Sequence, residues 1–154
     1  MILAAATVLT GLVAGLFQAF SYAVMPGLRR TDDATFVRTM RAINAAILNP
    51  WFLALFVGAP VLTVAAGVVV FVDGAGPGLA GVAAGLVCWL LTLGVTGRVN
   101  VPLNERLQAD PIETHEEQRA ARAAFERAWI RSNHIRSVAS TAASVALVIA
   151  LSLR

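Results

Sequence analysis

The sequence predicts an all-α fold, an integral membrane four-helix bundle with one additional amphipathic helix, and three observations carry that prediction. Four stretches of the 154 residues, Ile2–Met25, Trp51–Val72, Leu79–Gly97 and roughly Ser137–Leu153, contain no charged side chain. Each comes near the ~20 apolar residues that a helix needs to cross a hydrocarbon core roughly 30 Å thick. Hydrophobic residues form 58% of the chain and charged ones 14%, too few to cover a water-soluble surface. A backbone in lipid must satisfy its own donors and acceptors, so the spans are expected to be helices. The third observation is where the twelve cations, all arginine, fall. Arg29, Arg30, Arg38 and Arg41 lie between the first two spans. Arg98, Arg106, Arg119, Arg122, Arg127, Arg131 and Arg136 lie between the last two or at the mouth of the fourth, and only Arg154 follows. The positive-inside rule then places both arginine-rich segments in the cytoplasm and both termini outside the cell membrane. This distribution accounts for the net charge of +3 without nucleic acid.

Span one is expected to be retained rather than cleaved as a signal peptide, because it lacks a basic n-region and exceeds a typical h-region in length. Thr7, Gly11, Gly15, Ala19, Ala23 and Gly27 recur every four residues along one face. Such a face lets another helix approach closely, within the chain or in a homo-oligomer, and Gly81 and Gly85 repeat the pattern in span three. Gln18, Ser21 and Tyr22 are polar exceptions, and Gln18 reads as an interhelical hydrogen bond or a pocket-lining donor. Pro26-Gly27 ends the span. An amphipathic helix over about 32–48 follows, with Phe36, Met40, Ile43 and Ile47 at helical spacing and Arg38 and Arg41 turned away. It is expected to lie along the inner interface.

Asn49 is a natural cap and Pro50 suits a first helical turn, so span two opens there. Pro60 is expected to kink it. Residues 73–78 form a tight outer turn. Pro102 lacks a backbone donor and crowds the carbonyl of Arg98, which predicts a break or kink at the inner mouth. Thr114-His115-Glu116-Glu117 is a capping box that starts a cytoplasmic extension of helix four, supported by Glu116/Arg119 and Arg122/Glu126 pairs. The whole chain, 1–154, reads as one membrane domain. Cys88 is alone, so it forms no intrachain disulfide.

The inner mouth gathers the candidates for chemistry: Arg98, Asn100, Asn104 and Arg106 from one segment, Trp129, Asn133, His134 and Arg136 from another. Trp129, Asn133 and Arg136 share a helix face, and His134 is turned roughly 100° from Asn133. The ordinary reading is an interfacial belt, with Trp129 at headgroup level and Arg127 and Arg131 snorkelling toward phosphates. Amides at such depth need partners, which two facing polar clusters supply to each other. An imidazole ordinarily titrates near neutral pH, so His134 is a candidate general base, although a capping or lipid-facing histidine is as ordinary. His115 belongs to an exposed helix start. Two separated histidines do not make a bis-histidine haem site. No CxxC, HExxH, dinucleotide or phosphate loop supports a bound metal or nucleotide. No acid lies within a span, which argues against a proton-coupled pump.

Phe17-Gln18-Ala19-Phe20-Ser21 with Val24-Met25-Pro26, then Met40-Arg41-Ala42-Ile43-Asn44 and Asn49-Pro50, carry a family likeness. So do the run Asn100-Val101-Pro102-Leu103-Asn104-Glu105-Arg106 and the set Trp129, Asn133, His134, Arg136. Together these resemble the anthrone-oxygenase-like family of small four-helix membrane proteins. The resemblance implies oxidation of an anthrone or another lipophilic aromatic by molecular oxygen, with no recognised cofactor. It implies an apolar slot, a base and donors for a developing oxyanion. His134 is then the base, Arg136, Asn133, Asn100 or Asn104 hold the oxyanion, and Tyr22 and Trp129 pack on the flat rings. Gln18 and Arg98 complete the expected binding set. The ligand is expected to enter between the Asn100–Arg106 segment and the Trp129–Arg136 turn. The alternative is a non-catalytic membrane protein that packs with a partner or binds a lipid.

Overall fold

The computed structural model describes residues 1–74 and 76–153, and the described residues fold into five helices with no strand. Arg154 lies outside them. Helix α1 runs over Ile2–Leu28, α3 over Pro50–Val72, α4 over Gly78–Ala109 and α5 over His115–Ser152, and these four are long and apolar enough to cross a membrane. Between the first two of them lies α2, Asp33–Ile47. All four long helices end or begin beyond the uncharged stretches. The 38 residues of α5 span about 57 Å, far more than the hydrocarbon core needs. Its first half therefore extends beyond the charge-free stretch, where Ala121, Phe125 and Trp129 pack against α2 and the end of α4.

Local chemistry sets the boundaries. The Asp32 carboxylate accepts the Thr35 amide at 2.8 Å and starts α2. Asn49 Oδ1 accepts the Phe52 amide at 3.0 Å and starts α3. The Thr114 hydroxyl accepts the Glu117 amide while the Glu117 carboxylate accepts the Thr114 amide, closing the capping box of α5. Pro60 sits inside α3, which runs through it without interruption.

Of the break or kink expected at Pro102, the break does not occur, and α4 continues through the proline. One π-helical turn, Thr96–Asn100, precedes it, and the Val101 amide reaches back to the Thr96 carbonyl. The wider turn absorbs the proline without ending the helix. The same device precedes Pro26 in α1, where Phe20–Val24 is π-helical and the Met25 amide reaches the Phe20 carbonyl.

Small residues decide the tightest packing, more in α4 than in α1. A Cβ added at Gly81 would stand 2.7 Å from the Ala146 carbonyl oxygen, so α4 and α5 meet backbone to backbone there. A Cβ at Gly11 would meet only the Ser144 hydroxyl at 3.6 Å, and one at Gly15 would meet nothing within 4 Å. Inside the bundle Trp89 donates its indole N–H to Thr10 Oγ1 at 3.2 Å, satisfying a polar atom that lipid could not.

Helix α2 packs across the arginine-rich end with Phe36, Val37 and Met40 fully buried against Met25, Leu107, Phe125 and Trp129. Two arginines lock it. Arg122 donates to Glu126 at 2.7 Å, to Asp33 at 3.0 Å and to the Thr31 carbonyl at 2.9 Å, with its guanidinium over the Phe36 ring. Arg41 is not turned away from the protein as its position on the helical wheel suggests. It donates to the carbonyls of Leu107, at 2.8 Å, and of Asp110, tying α2 to the end of α4. The Glu116/Arg119 pair does not form among the described residues, and Arg119 instead lies 3.9 Å from Asp33.

Candidate active site

A cavity of about 100 Å³ lies at the arginine-rich end, between the π-helical turn of α4 and the middle of α5. These are the two segments in which the sequence gathers its polar residues. The end of α2 (Ile43, Asn44, Ile47), Leu48 beyond it, Phe52 of α3, and Leu16, Phe17 and Phe20 of α1 complete the wall. Most of that lining is apolar, and the polar exceptions are Asn44, Thr96, Asn100, Asn104, Trp129, Asn133 and Arg136.

Arg136 is the charged member. It is 6% exposed, and no carboxylate pairs with it among the described residues. Its Nη2 donates to Asn133 Oδ1 at 3.0 Å, and its guanidinium stands 4.3 Å from the Phe17 ring centroid and 5.6 Å from that of Trp129. Aromatic faces attract a desolvated guanidinium but leave its charge unneutralised. Asn133 is itself held from behind, since its Nδ2 donates to the Phe17 carbonyl at 3.1 Å and to Ser21 Oγ at 2.9 Å. That pattern fixes the amide orientation and turns the Asn133 oxygen toward Arg136.

Asn100 is fixed in the same way. Ser132 Oγ donates to the Trp129 carbonyl at 2.9 Å and accepts Asn100 Nδ2 at 2.8 Å, which leaves Asn100 Oδ1 as the unused atom. Trp129 donates its indole N–H to Asn104 Oδ1 at 2.9 Å and lies against Phe20 and Phe125. Among the described residues four buried side-chain polar atoms have no hydrogen-bond partner: Asn44 Nδ2, Asn100 Oδ1, Gln118 Oε1 and Arg136 Nε. Three of the four belong to residues lining this one cavity. A buried, unpaired donor or acceptor costs roughly 1–3 kcal/mol, more if charged. Their concentration marks the place where a polar ligand is expected.

Asn100, Asn104, Trp129, Asn133 and Arg136 therefore come together, and four other expected site residues do not. His134 is exposed and lines a separate groove with Arg29, Glu126 and Arg131, because it sits between Asn133 and Arg136 in sequence and their side chains take the opposite face of α5. Tyr22 is 71% exposed and stacks on nothing in the cavity. Arg98 is exposed, outside the lining. Gln18 donates to Thr141 Oγ1 at 3.2 Å, an interhelical bond rather than a pocket donor. Asn44 also lines the cavity, although it is not among the expected site residues, and the sequence carries a signal for it: it follows Phe36 and Met40 at four-residue steps, an amide on the inward face of an amphipathic helix.

A second cleft of about 250 Å³ adjoins the cavity and shares Asn44, Ile47, Leu48, Val101 and Asn104 with it, with Glu105 and Gln108 at its outer side. The two therefore share one wall beside the end of α2. Among the described residues no group of three His, Cys, Asp or Glu is placed to hold a metal ion.

Comparison with curated proteins and with solved structures gives no match. A family model described as anthrone oxygenase matches residues 51–146. The matched stretch contains Asn100, Asn104, Trp129, Asn133 and Arg136, and leaves α1 and Asn44 outside. By this match, which covers more than half of the chain, the chain belongs to the anthrone oxygenase family.

Proposed function

We propose that the protein is a membrane oxygenase that converts an anthrone-like, lipophilic aromatic ketone to the corresponding quinone with molecular oxygen. The observation that carries this reading is the set of unpartnered atoms on one cavity, two donors (Asn44 Nδ2, Arg136 Nε) and one acceptor (Asn100 Oδ1). They suit a ring carbonyl flanked by a hydroxyl. The methylene of an anthrone is acidified by the carbonyl across the ring, and deprotonation places negative charge on that oxygen. An unneutralised guanidinium stabilises such an oxyanion in a water-poor site. The electron-rich ring then transfers an electron to oxygen. Recombination forms a carbon–oxygen bond, and loss of water leaves the second carbonyl, so each dioxygen yields one quinone oxygen and one water.

Among the described residues the lining has no carboxylate or imidazole, so the proton passes to water at the outer cleft, where Glu105 stands. At about 100 Å³ the cavity is below the roughly 300–1,000 Å³ of typical ligand sites, and the ring system extends into the adjoining cleft beside Leu48. Oxygen uptake by purified protein with a panel of hydroxyanthrones and hydroquinones tests the reading. Stoichiometric uptake with quinone formation is expected, and no uptake above the spontaneous rate on any member overturns it.

The same reading includes an orientation in the cell membrane. Eleven arginines gathered toward one end support a cytoplasmic position for that end, with α2 along the inner interface and both termini outside. A C-terminal reporter active only in the cytoplasm would contradict this.

A further inference from the structure

One face of α5 changes character along its length. Arg127, Arg131, His134, Val138, Val145 and Ile149 fall within about 60° of arc on an ideal helix, and all six are exposed. The first three make a cationic half. The last three, led by Val138 at 68% exposure, continue the same strip through the apolar half.

At the cationic half the strip forms a wall of an open groove of about 940 Å³ that also includes Arg29, Glu126 and Ile130. Arg29 arrives from the turn after α1, with its Nε 3.1 Å from Glu126 Oε1. Glu126 is the one acid in the lining, and Arg122 already holds its other oxygen at 2.7 Å. Arg127 and Arg131 have no ion pair or hydrogen bond among the described residues. Three guanidiniums thus face one carboxylate that is already committed. Arg131 stands about 10 Å along the axis from Val138, so an anion at the guanidiniums leaves an attached acyl chain level with the aliphatic half.

We propose that this groove is a binding site for an anionic phospholipid, with the phosphate between Arg29, Arg127 and Arg131 and an acyl chain along Val138 and Val145. Free phosphate would use only the cationic half, whereas the continuous strip fits a molecule that is charged at one end and aliphatic at the other. The site lies apart from the cavity described above and does not depend on that cavity being catalytic.

Native mass spectrometry of the full-length protein, released from detergent with phosphatidylglycerol or phosphatidylcholine of matched acyl chains, tests it. A preference for phosphatidylglycerol is expected, reduced roughly tenfold or more in the Arg127→Gln/Arg131→Gln double variant. Arg38→Gln, an exposed arginine on α2 outside the groove, is expected to keep the preference. Should the double variant not fold, Arg131→Gln alone reads the same ratio. Equal retention of the two lipids, an unchanged preference in the groove variants, or displacement of phosphatidylglycerol by millimolar inorganic phosphate overturns the proposal.

Discussion

Arg136 Nη2 donates to Asn133 Oδ1 at 3.0 Å, one turn away on α5, and the pair keeps a cation inside the bundle with no carboxylate beside it. Removing one partner of a buried charge pair is usually destabilising, but here only an amide and aromatic rings surround the charge. A neutral, apolar replacement relieves the desolvation of the charge and removes the unpaired Nε, while it leaves Asn133 Oδ1 without its donor.

Arg136→Met is therefore expected to separate function from stability. Turnover of a hydroxyanthrone, followed by oxygen uptake, falls by about 10²–10³-fold if the guanidinium holds the oxyanion. The thermal unfolding midpoint stays near that of the parent, because the relieved desolvation offsets the Asn133 oxygen left without a donor. Arg136→Lys also loses activity, because an ammonium lacks the planar fork that bonds Asn133 and stacks on Phe17. Full turnover in a folded Arg136→Met protein would sink the assignment.

Asn44→Leu and Asn100→Ala are each expected to lower kcat/KM by about 10²-fold in the same assay. Asn44→Leu removes an unpaired amide and leaves stability near that of the parent. Tyr22→Ala, an exposed residue outside the cavity, retains activity. If Tyr22→Ala were the variant to lose turnover while the two asparagine variants kept it, the cavity would be the wrong site.

Gly81→Ala and Gly15→Ala carry the same chemical change with opposite expected results. The new methyl at Gly81 meets the Ala146 carbonyl at 2.7 Å, which forces α4 and α5 apart and costs about 1–3 kcal/mol. The methyl at Gly15 meets nothing within 4 Å, and a helix gains up to about 1 kcal/mol from the exchange. Unfolding midpoints in detergent should move in opposite directions. Equal loss in both would mean that Gly15 also packs closely, as it would in a homo-oligomer.

The first turn of α2 is expected to be acid-sensitive. The Thr35 amide, and then the Thr35 hydroxyl, hold the Asp32 carboxyl below its ordinary value. A lowered folded-state value means that the ionised cap stabilises the helix above the ordinary carboxylate range. That contribution is lost as pH falls through the lowered value. Amide exchange at the start of α2 should accelerate, relative to intrinsic rates, as pH drops through that window. In Asp32→Ala it should be fast throughout and lose this pH dependence. Identical profiles in the two proteins would exclude the cap as the cause.

Much of the architecture was legible because each signal is local. A charge-free run long enough to span, a cap three residues before the amide it binds and a capping box all act within a few residues. The physics is settled before any tertiary contact forms. Pro102 shows where local reasoning stops. Its steric demand was readable, but whether the helix breaks or widens into a π-helical turn depends on the neighbours packed against α4.

The candidate site divides along the same line. The sequence alone placed Asn100, Asn104, Trp129, Asn133 and Arg136 at one end of the bundle, since arginine-rich and amide-rich segments there flank the apolar runs. It could not tell which of two adjacent residues on α5 faces inward. A rotation of about 100° separates Asn133 from His134, and only the packing of α1 and α4 against α5 selects the face. Tertiary structure therefore moved His134 to the outer groove and Gln18 onto Thr141, and drew Asn44 into the wall through a helix that crosses from elsewhere in the chain. Spans, caps and charge bias are properties of a segment in its solvent. A cavity is a property of several segments meeting, and its members become known only when their faces do.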